Sequence, residues 1–206
     1  MYVKICGITT EEAAITAVES RADFIGFVFA ESKREIAPAA AAKIARSIPR
    51  SVKKVGVFVN ETVENMKRIA EIVGLDMIQL HGDEPAGVAN KIPYEIIKAF
   101  PAEKETFEKM KDYPCDYFLL DTPSKKSRGG NGNIFDWKLL DGLELDRSKM
   151  ILAGGLTPEN VRTAIEKVHP FVVDVSSGVE TEGTKDLEKI KDFITNAKQI
   201  KEDEDR

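Results

Sequence analysis

Met150-Ile151-Leu152-Ala153-Gly154-Gly155-Leu156 and Phe171-Val172-Val173-Asp174-Val175-Ser176-Ser177 flank a helical pattern over Pro158–Val168. Each flank is a short apolar run with little polar interruption, the signature of a strand covered on both faces. Two such runs joined through one helix make a parallel βαβ unit, because parallel neighbours need a crossover connection. Both runs end in small residues, Gly154-Gly155 and Ser176-Ser177-Gly178. Small residues at strand ends let a backbone approach a ligand closely.

The same alternation extends back to the N-terminus. The other strand candidates are Tyr2–Ile8, Asp23–Phe29, Lys53–Val59, Met77–Gly82, Tyr94–Phe100 and Tyr117–Thr122. Helix candidates run through Pro38–Ser47, Thr62–Val73, Glu84–Lys91, Glu103–Lys111, Trp137–Leu143 and Leu187–Lys198, with a further helix after Thr9, where Thr9 and Glu12 have capping-box spacing. Pro38 and Pro158 stand where a first helical turn tolerates a missing N–H. Eight βα units in succession predict an α/β fold, a closed (βα)8 TIM barrel in a single domain over residues 1–200. A doubly wound open sheet is the alternative, but Cys6-Gly7-Ile8-Thr9 after the first strand is not the Gly-rich fingerprint that fold usually carries. Residues 201–206, Lys-Glu-Asp-Glu-Asp-Arg, read as a solvated charged tail.

Composition narrows the partners. The 206 residues are 42% hydrophobic and 32% charged, normal for a folded chain, with a net charge of −5. That balance disfavours nucleic acid and anionic membranes, which need a concentrated basic surface; a small anion needs only a few donors. No apolar run approaches the roughly 20 residues of a membrane span. The N-terminus lacks a basic segment leading into an apolar one, so the expected location is cytoplasmic, with Cys6 and Cys115 reduced. The expected assembly is a monomer or a homodimer.

In a parallel barrel, polar residues facing inward near strand C-termini mark the site, and positions i and i+2 share a face. Lys4 and Cys6 do so, as do Gln79 and His81, and Asp174 and Ser176, while Asp121 ends the sixth strand. Cys6 precedes Gly7, which lets the chain turn and leaves the thiol accessible. Lys4 nearby favours thiolate. Cys6 is thus a candidate base or nucleophile, or else a small core residue. Asp121 reads as a proton donor whose pKa burial would raise, or as a loop cap. His81 reads as a structural histidine or a proton-transfer group. Arg34, in Ser32-Lys33-Arg34, can form a two-pronged bond to a carboxylate or lie solvated on a loop. The glycine ends of strands seven and eight predict phosphate binding. Arg128-Gly129-Gly130-Asn131-Gly132 reads as a loop able to close over a ligand. Two histidines without ligand spacing make a zinc site improbable.

These residues lie in motifs that run from residue 2 to about residue 198: Lys4-Ile5-Cys6-Gly7-Ile8-Thr9, Gly26-Phe27-Val28-Phe29, Ser32-Lys33-Arg34, Gly56-Val57-Phe58-Val59-Asn60, Gln79-Leu80-His81-Gly82, Leu120-Asp121, Phe135-Asp136-Trp137, Ala153-Gly154-Gly155-Leu156 and Asp174-Val175-Ser176-Ser177-Gly178-Val179-Glu180. Together they resemble the phosphoribosylanthranilate isomerases of tryptophan biosynthesis. The resemblance implies an Amadori rearrangement of a phosphosugar, without cofactor or metal. It makes Cys6 the general base and Asp121 the general acid, gives Arg34 the anthranilate carboxylate, and gives the phosphate to the loops holding Gly130, Gly154, Gly155, Ser176, Ser177 and Gly178. His81 and Asp174 become further substrate-binding residues. Glu35 stands where the family often has an aromatic residue, and Asn131 where a small hydroxyl residue is usual. Competing readings are an indole-glycerol-phosphate synthase relative, a ribulose-phosphate epimerase, a bifunctional isomerase with two catalytic aspartates, and a non-catalytic phosphosugar-binding barrel. The synthase would need catalytic Lys and Glu groups at several strand ends and the epimerase more histidines; Cys6 argues against the bifunctional enzyme, and retention of both Cys6 and Asp121 against the non-catalytic barrel.

Overall fold

The computed structural model describes residues 1–123 and 136–199. Its eight parallel strands are β1 (Tyr2–Cys6), β2 (Phe24–Val28), β3 (Lys53–Phe58), β4 (Met77–Leu80), β5 (Glu95–Pro101), β6 (Tyr117–Asp121), β7 (Met150–Leu152) and β8 (Val172–Val175). They pair in chain order, and β8 returns to β1 to close a barrel. The helices are α1 (Glu11–Glu19), α2 (Pro38–Ala45), α3 (Val63–Val73), α4 (Ala86–Ala89), α5 (Lys104–Met110), α6 (Val161–Val168) and α7 (Leu187–Lys198). Among the described residues the sixth crossover carries two 3₁₀ turns, Trp137–Leu140 and Arg147–Lys149, the first shorter than the helix expected over Trp137–Leu143. A short antiparallel ribbon, β9 (Glu180–Thr181) and β10 (Thr184–Lys185), follows β8 and was not anticipated from the sequence.

Side-chain alternation divides the apolar residues into two shells. Phe24, Val55, Met77, Ile97, Leu119, Ile151 and Val172 form one cluster within the barrel. Ile5, Ile25, Phe27, Phe58, Ile78, Leu120 and Val173 belong to the other, which packs against the helices. Helix α3 shows why its sequence is helical: Met66, Ile69, Ala70 and Val73 repeat at helical spacing and are all buried. The Thr62 side chain caps its start by accepting from Asn65 N, and Gly74 ends it in the left-handed conformation. At α1 the cap is Thr10, not Thr9; its hydroxyl accepts from Ala13 N. Pro38 does open α2, whereas α6 begins at Val161, three residues beyond Pro158.

Apart from β5, which runs on to Pro101, the strands end sooner than the apolar runs suggest, most clearly at β7, which stops at Leu152 rather than Leu156. Gly154 and Gly155, at φ 83° and 66°, leave the extended conformation there and carry the chain over the barrel mouth. At the opposite end the closure is regular. Asp23, Asp76 and Asp116 each precede an even-numbered strand and accept a backbone N–H of the strand before, from Val3, Lys54 and Ile96, all at 2.8 Å. The same aspartates donate their own N–H to the carbonyl of that residue. Phe171 takes the equivalent place before β8, donating to Met150 O and stacking near Tyr2 and Tyr117.

Candidate active site

β1 delivers Lys4 and Cys6 to the barrel interior, and β8 delivers Asp174 opposite them. Lys4 Nζ donates to Asp174 Oδ2 at 3.0 Å, with Lys4 wholly buried. Burial alone would discharge this ammonium, but Asp174 and Cys6 outweigh it and hold its pKa above the ordinary lysine value. Asp174 Oδ1 has no hydrogen-bond partner among the described residues. Gly7, at φ +76°, makes the expected turn, yet Cys6 is only 7% exposed. A side chain at position 7 would meet Arg34 Cδ, so the glycine lets the Arg34 stem close over the turn. Burial pushes the Cys6 thiol above its ordinary value, although Lys4 and Lys185 pull the other way. Proximity to a cation, the effect expected from sequence, is present and is overridden by desolvation.

Across the mouth, β6 ends on Asp121. One of its oxygens, Oδ1, accepts from Thr122 N at 2.7 Å; the other, Oδ2, lies 3.5 Å from His81 Nε2. Gly154 closes against this carboxylate so tightly that a Cβ there would come within 2.4 Å of Thr122 Oγ1 and 3.1 Å of Asp121 Oδ1. Gln79 Nε2 lies 2.8 Å from His81 Nδ1. With Nδ1 accepting, a neutral imidazole carries its proton on Nε2, the side facing Asp121.

The His81 turn is held from behind. Lys98 Nζ, on the outer face of β5, donates to Gly82 O at 2.7 Å, Leu80 O at 3.3 Å and Glu84 Oε2 at 3.0 Å. Glu84 Oε1 accepts from Asn60 N and Gly82 N. This brace fixes the loop between β4 and α4 and was missed in the sequence, because Lys98 and Glu84 each look like ordinary surface charges there.

The loops after β7 and β8 meet in a cleft of about 310 Å³ lined by Gly155, Thr157, Ser177, Gly178, Glu180 and Lys189. Of the residues expected to bind phosphate, Gly155, Ser177 and Gly178 therefore line this cleft. Gly154 packs against Asp121 instead, and the Ser176 hydroxyl donates to Cys6 O at 3.1 Å. Gly130, with the rest of the Gly129–Gly132 loop, lies outside the described residues, as does the 201–206 tail. Lys189 had no role in the sequence reading because it sits in the first turn of an amphipathic helix; its Nζ donates to Glu180 O at 2.9 Å. Arg34 is not a free prong. Its Nε and Nη2 grip Glu180 Oε1 and Oε2 at 2.6 and 2.9 Å. Among the described residues no cluster of three or more His, Cys, Asp or Glu side chains could hold a metal ion. Nor is any described helix long and apolar enough to cross a membrane.

A closed parallel barrel whose strand ends gather a thiol, a carboxyl group and a glycine-lined cleft is an α/β-barrel enzyme. Comparison with known proteins narrows this. The chain belongs to the N-(5'-phosphoribosyl)anthranilate (PRA) isomerase family, whose family model matches residues 3–196. It is 51% identical over 197 residues to the N-(5'-phosphoribosyl)anthranilate isomerase of Oceanobacillus iheyensis, covering 95% of this chain and 96% of that one. Among solved structures it resembles monomers generated from the dimeric phosphoribosylanthranilate isomerase of Thermotoga maritima, at TM-score 0.84 and 44% identity over 97% of this chain and 99% of that one. A phosphoribosyl anthranilate isomerase in complex with reduced 1-(o-carboxyphenylamino)-1-deoxyribulose 5-phosphate matches at TM-score 0.84 and 45% identity, with the same coverage.

Proposed function

We propose that the chain catalyses the Amadori rearrangement of N-(5-phosphoribosyl)anthranilate to 1-(2-carboxyphenylamino)-1-deoxyribulose 5-phosphate, the isomerase step of tryptophan biosynthesis. The observation that carries this reading is a thiol beside Lys4 at the end of β1 together with a carboxyl group beside His81 at the end of β6. Asp121 protonates the furanose ring oxygen; the ring C–O bond breaks and leaves an iminium. The neighbouring C–H becomes acidic, and Cys6 as thiolate removes that proton to give an enolamine, which tautomerises to the ketone. The iminium brings a positive charge to the thiol, offsetting the burial that holds its proton on. One acid and one base in a shared pocket perform both transfers.

Arg34 takes the anthranilate carboxylate and Gly155, Ser177 and Gly178 take the phosphate, with Gly154 and Ser176 shaping the loops around it. Gly130 belongs to the loop assigned to closure over the ligand. Asp174, with an oxygen unpartnered among the described residues, stabilises the developing positive nitrogen, and His81 faces the sugar beside Asp121. No cofactor enters this scheme, since the iminium itself is the electron sink. The scheme draws every named residue from one chain and so is compatible with a monomer or a homodimer. Both cysteines are free thiols, which supports a reducing compartment, the cytoplasm. The test is a fluorescence assay that follows consumption of freshly generated phosphoribosylanthranilate; a purified, folded protein that leaves the substrate at its spontaneous decay rate defeats the proposal.

A further inference from the structure

Arg34 is assigned a substrate carboxylate, yet it already holds one from the protein. The Glu180 contact occupies the Nε–Nη2 edge of the guanidinium and leaves the Nη1–Nη2 edge for a second carboxylate, end-on. Charge presents a harder problem than geometry. A guanidinium matched to a carboxylate is a neutral pair and has little net attraction for another anion.

The ribbon β9–β10 supplies what is missing. Lys185 Nζ donates to Glu180 Oε1 at 2.6 Å, the same oxygen that takes Arg34 Nε. Its other contacts are Ser176 O at 2.8 Å and Ser176 Oγ at 3.3 Å, and its side chain is only 3% exposed. Glu180 and Lys185 are paired across the ribbon, whose turn runs through Glu182 and Gly183 at φ 52° and 81°. The ribbon therefore delivers an anion and a cation side by side to the edge of the mouth. Burial works against the Glu180 carboxylate, but Arg34 and Lys185 hold its pKa below the ordinary range. Burial lowers the Lys185 pKa, with Glu180 and Cys6 opposing it.

We infer that Glu180 and Lys185 are positioning residues that set specificity for a carboxylated aromatic amine: Glu180 fixes the plane of the Arg34 guanidinium, and Lys185 cancels the Glu180 charge. Two cations around one anion then present one positive charge to one substrate carboxylate. The inference rests on Arg34 as the carboxylate-binding residue of the proposed reaction.

Calorimetric binding of two probes tests it without relying on turnover: reduced 1-(o-carboxyphenylamino)-1-deoxyribulose 5-phosphate and its phenylamino counterpart lacking the carboxylate. Lys185→Met leaves Arg34 facing Glu180 alone and is expected to weaken the carboxylated probe about tenfold or more, with about twofold or less on the other. Adding Glu180→Gln to Lys185→Met restores the single positive charge and is expected to recover most of the lost affinity. A merely structural role for Lys185 weakens both probes alike and is not rescued by a second substitution; either result overturns the inference. A wild-type protein that prefers the carboxylated probe, with Lys185→Met keeping that preference, overturns it alone. A wild-type protein that binds neither probe overturns the proposed function and this inference together.

Discussion

Lys4 and Lys98 are both buried lysines on barrel strands, each 3.0 Å from a carboxylate oxygen, yet their surroundings differ. Lys98 lies on the outer face of β5, where two carbonyls and Glu84 receive its protons and two backbone N–H groups complete Glu84. Lys4 lies in the barrel interior, where Asp174 keeps one oxygen without a hydrogen-bond partner among the described residues and a thiol shares the ammonium's field. Buried polar groups are nearly always satisfied, so an incompletely satisfied pair is an anomaly that needs a reason. At Lys98 the reason for the pair is architecture. At Lys4 the spare capacity sits where a reaction would use it. What a buried ion pair leaves over is more informative than its length.

The sharpest break in that contrast comes from the chemical residues themselves. Cys6→Ser and Asp121→Asn are each expected to lower kcat by on the order of 10³-fold, since each removes one partner of the proposed proton transfer, while product-analogue affinity stays near wild type. Steady-state kinetics beside calorimetry would decide this, and near-normal turnover in either variant removes that residue from its role. On the structural side, Lys98→Met leaves the Glu84 carboxylate buried without its cation and is expected to cost about 3–5 kcal/mol in urea unfolding. Pairing it with Glu84→Leu should return much of that, and failure to do so would mean the brace holds more than its own charges.

Asp174→Asn tests the interior pair through its proton rather than its stability. The Asp174 charge helps keep the Cys6 thiol protonated, so the variant's thiol is expected to ionise at lower pH. Iodoacetamide labelling of Cys6 against pH would show the curve shifting to the acid side; an unmoved curve would deny the coupling. The smallest effect belongs to the other thiol. Burial and Asp116 hold Cys115 up at about 11, against 9.0 for an ordinary thiol. The folded chain therefore retains a proton that the unfolded chain loses, and stability falls as pH rises from about 9 to about 11. Cys115→Ala should flatten part of that decline in Tm; an equally steep decline would assign it elsewhere.

Much of the barrel was legible because it rests on repetition. Eight apolar runs alternating with helical segments specify parallel strands whichever residue begins each one, and α3 and α7 declared themselves by periodicity. The errors fell where local chemistry overrides pattern. Thr10 displaced Thr9 as a cap, and the helix expected over Trp137–Leu143 shrank to a 3₁₀ turn. The runs after β4 and β7 left the sheet early because their residues are needed for turns over the mouth. Within the site, inward polar positions exposed Cys6, Asp121, His81 and Asp174, since two-residue alternation is visible in a sequence. Lys98, Glu84, Lys185 and Lys189 were invisible there. A lysine on a strand flank or first helical turn looks solvated until packing brings a carboxylate to it, as across the 14 residues between Glu84 and Lys98. Arg34 stood out as a candidate carboxylate ligand, but its grip on Glu180, 146 residues on, was beyond the reach of any local pattern.

The three aspartates at the foot of the barrel also imply a modular seam pattern. Asp23, Asp76 and Asp116 each lock one odd strand to the next even one through a reciprocal pair of bonds, which makes β1–β2, β3–β4 and β5–β6 into stapled couples. The last couple, β7–β8, has Phe171 in that position and relies on ring contacts with Tyr2 of β1 and Tyr117 of β6. Chain ends relocated between couples would leave every clasp inside an uncut segment, whereas a cut within a couple would turn a local clasp into a long-distance one. The molecule is thus divisible by twos along its circumference, even though its catalytic rim treats it as a single ring.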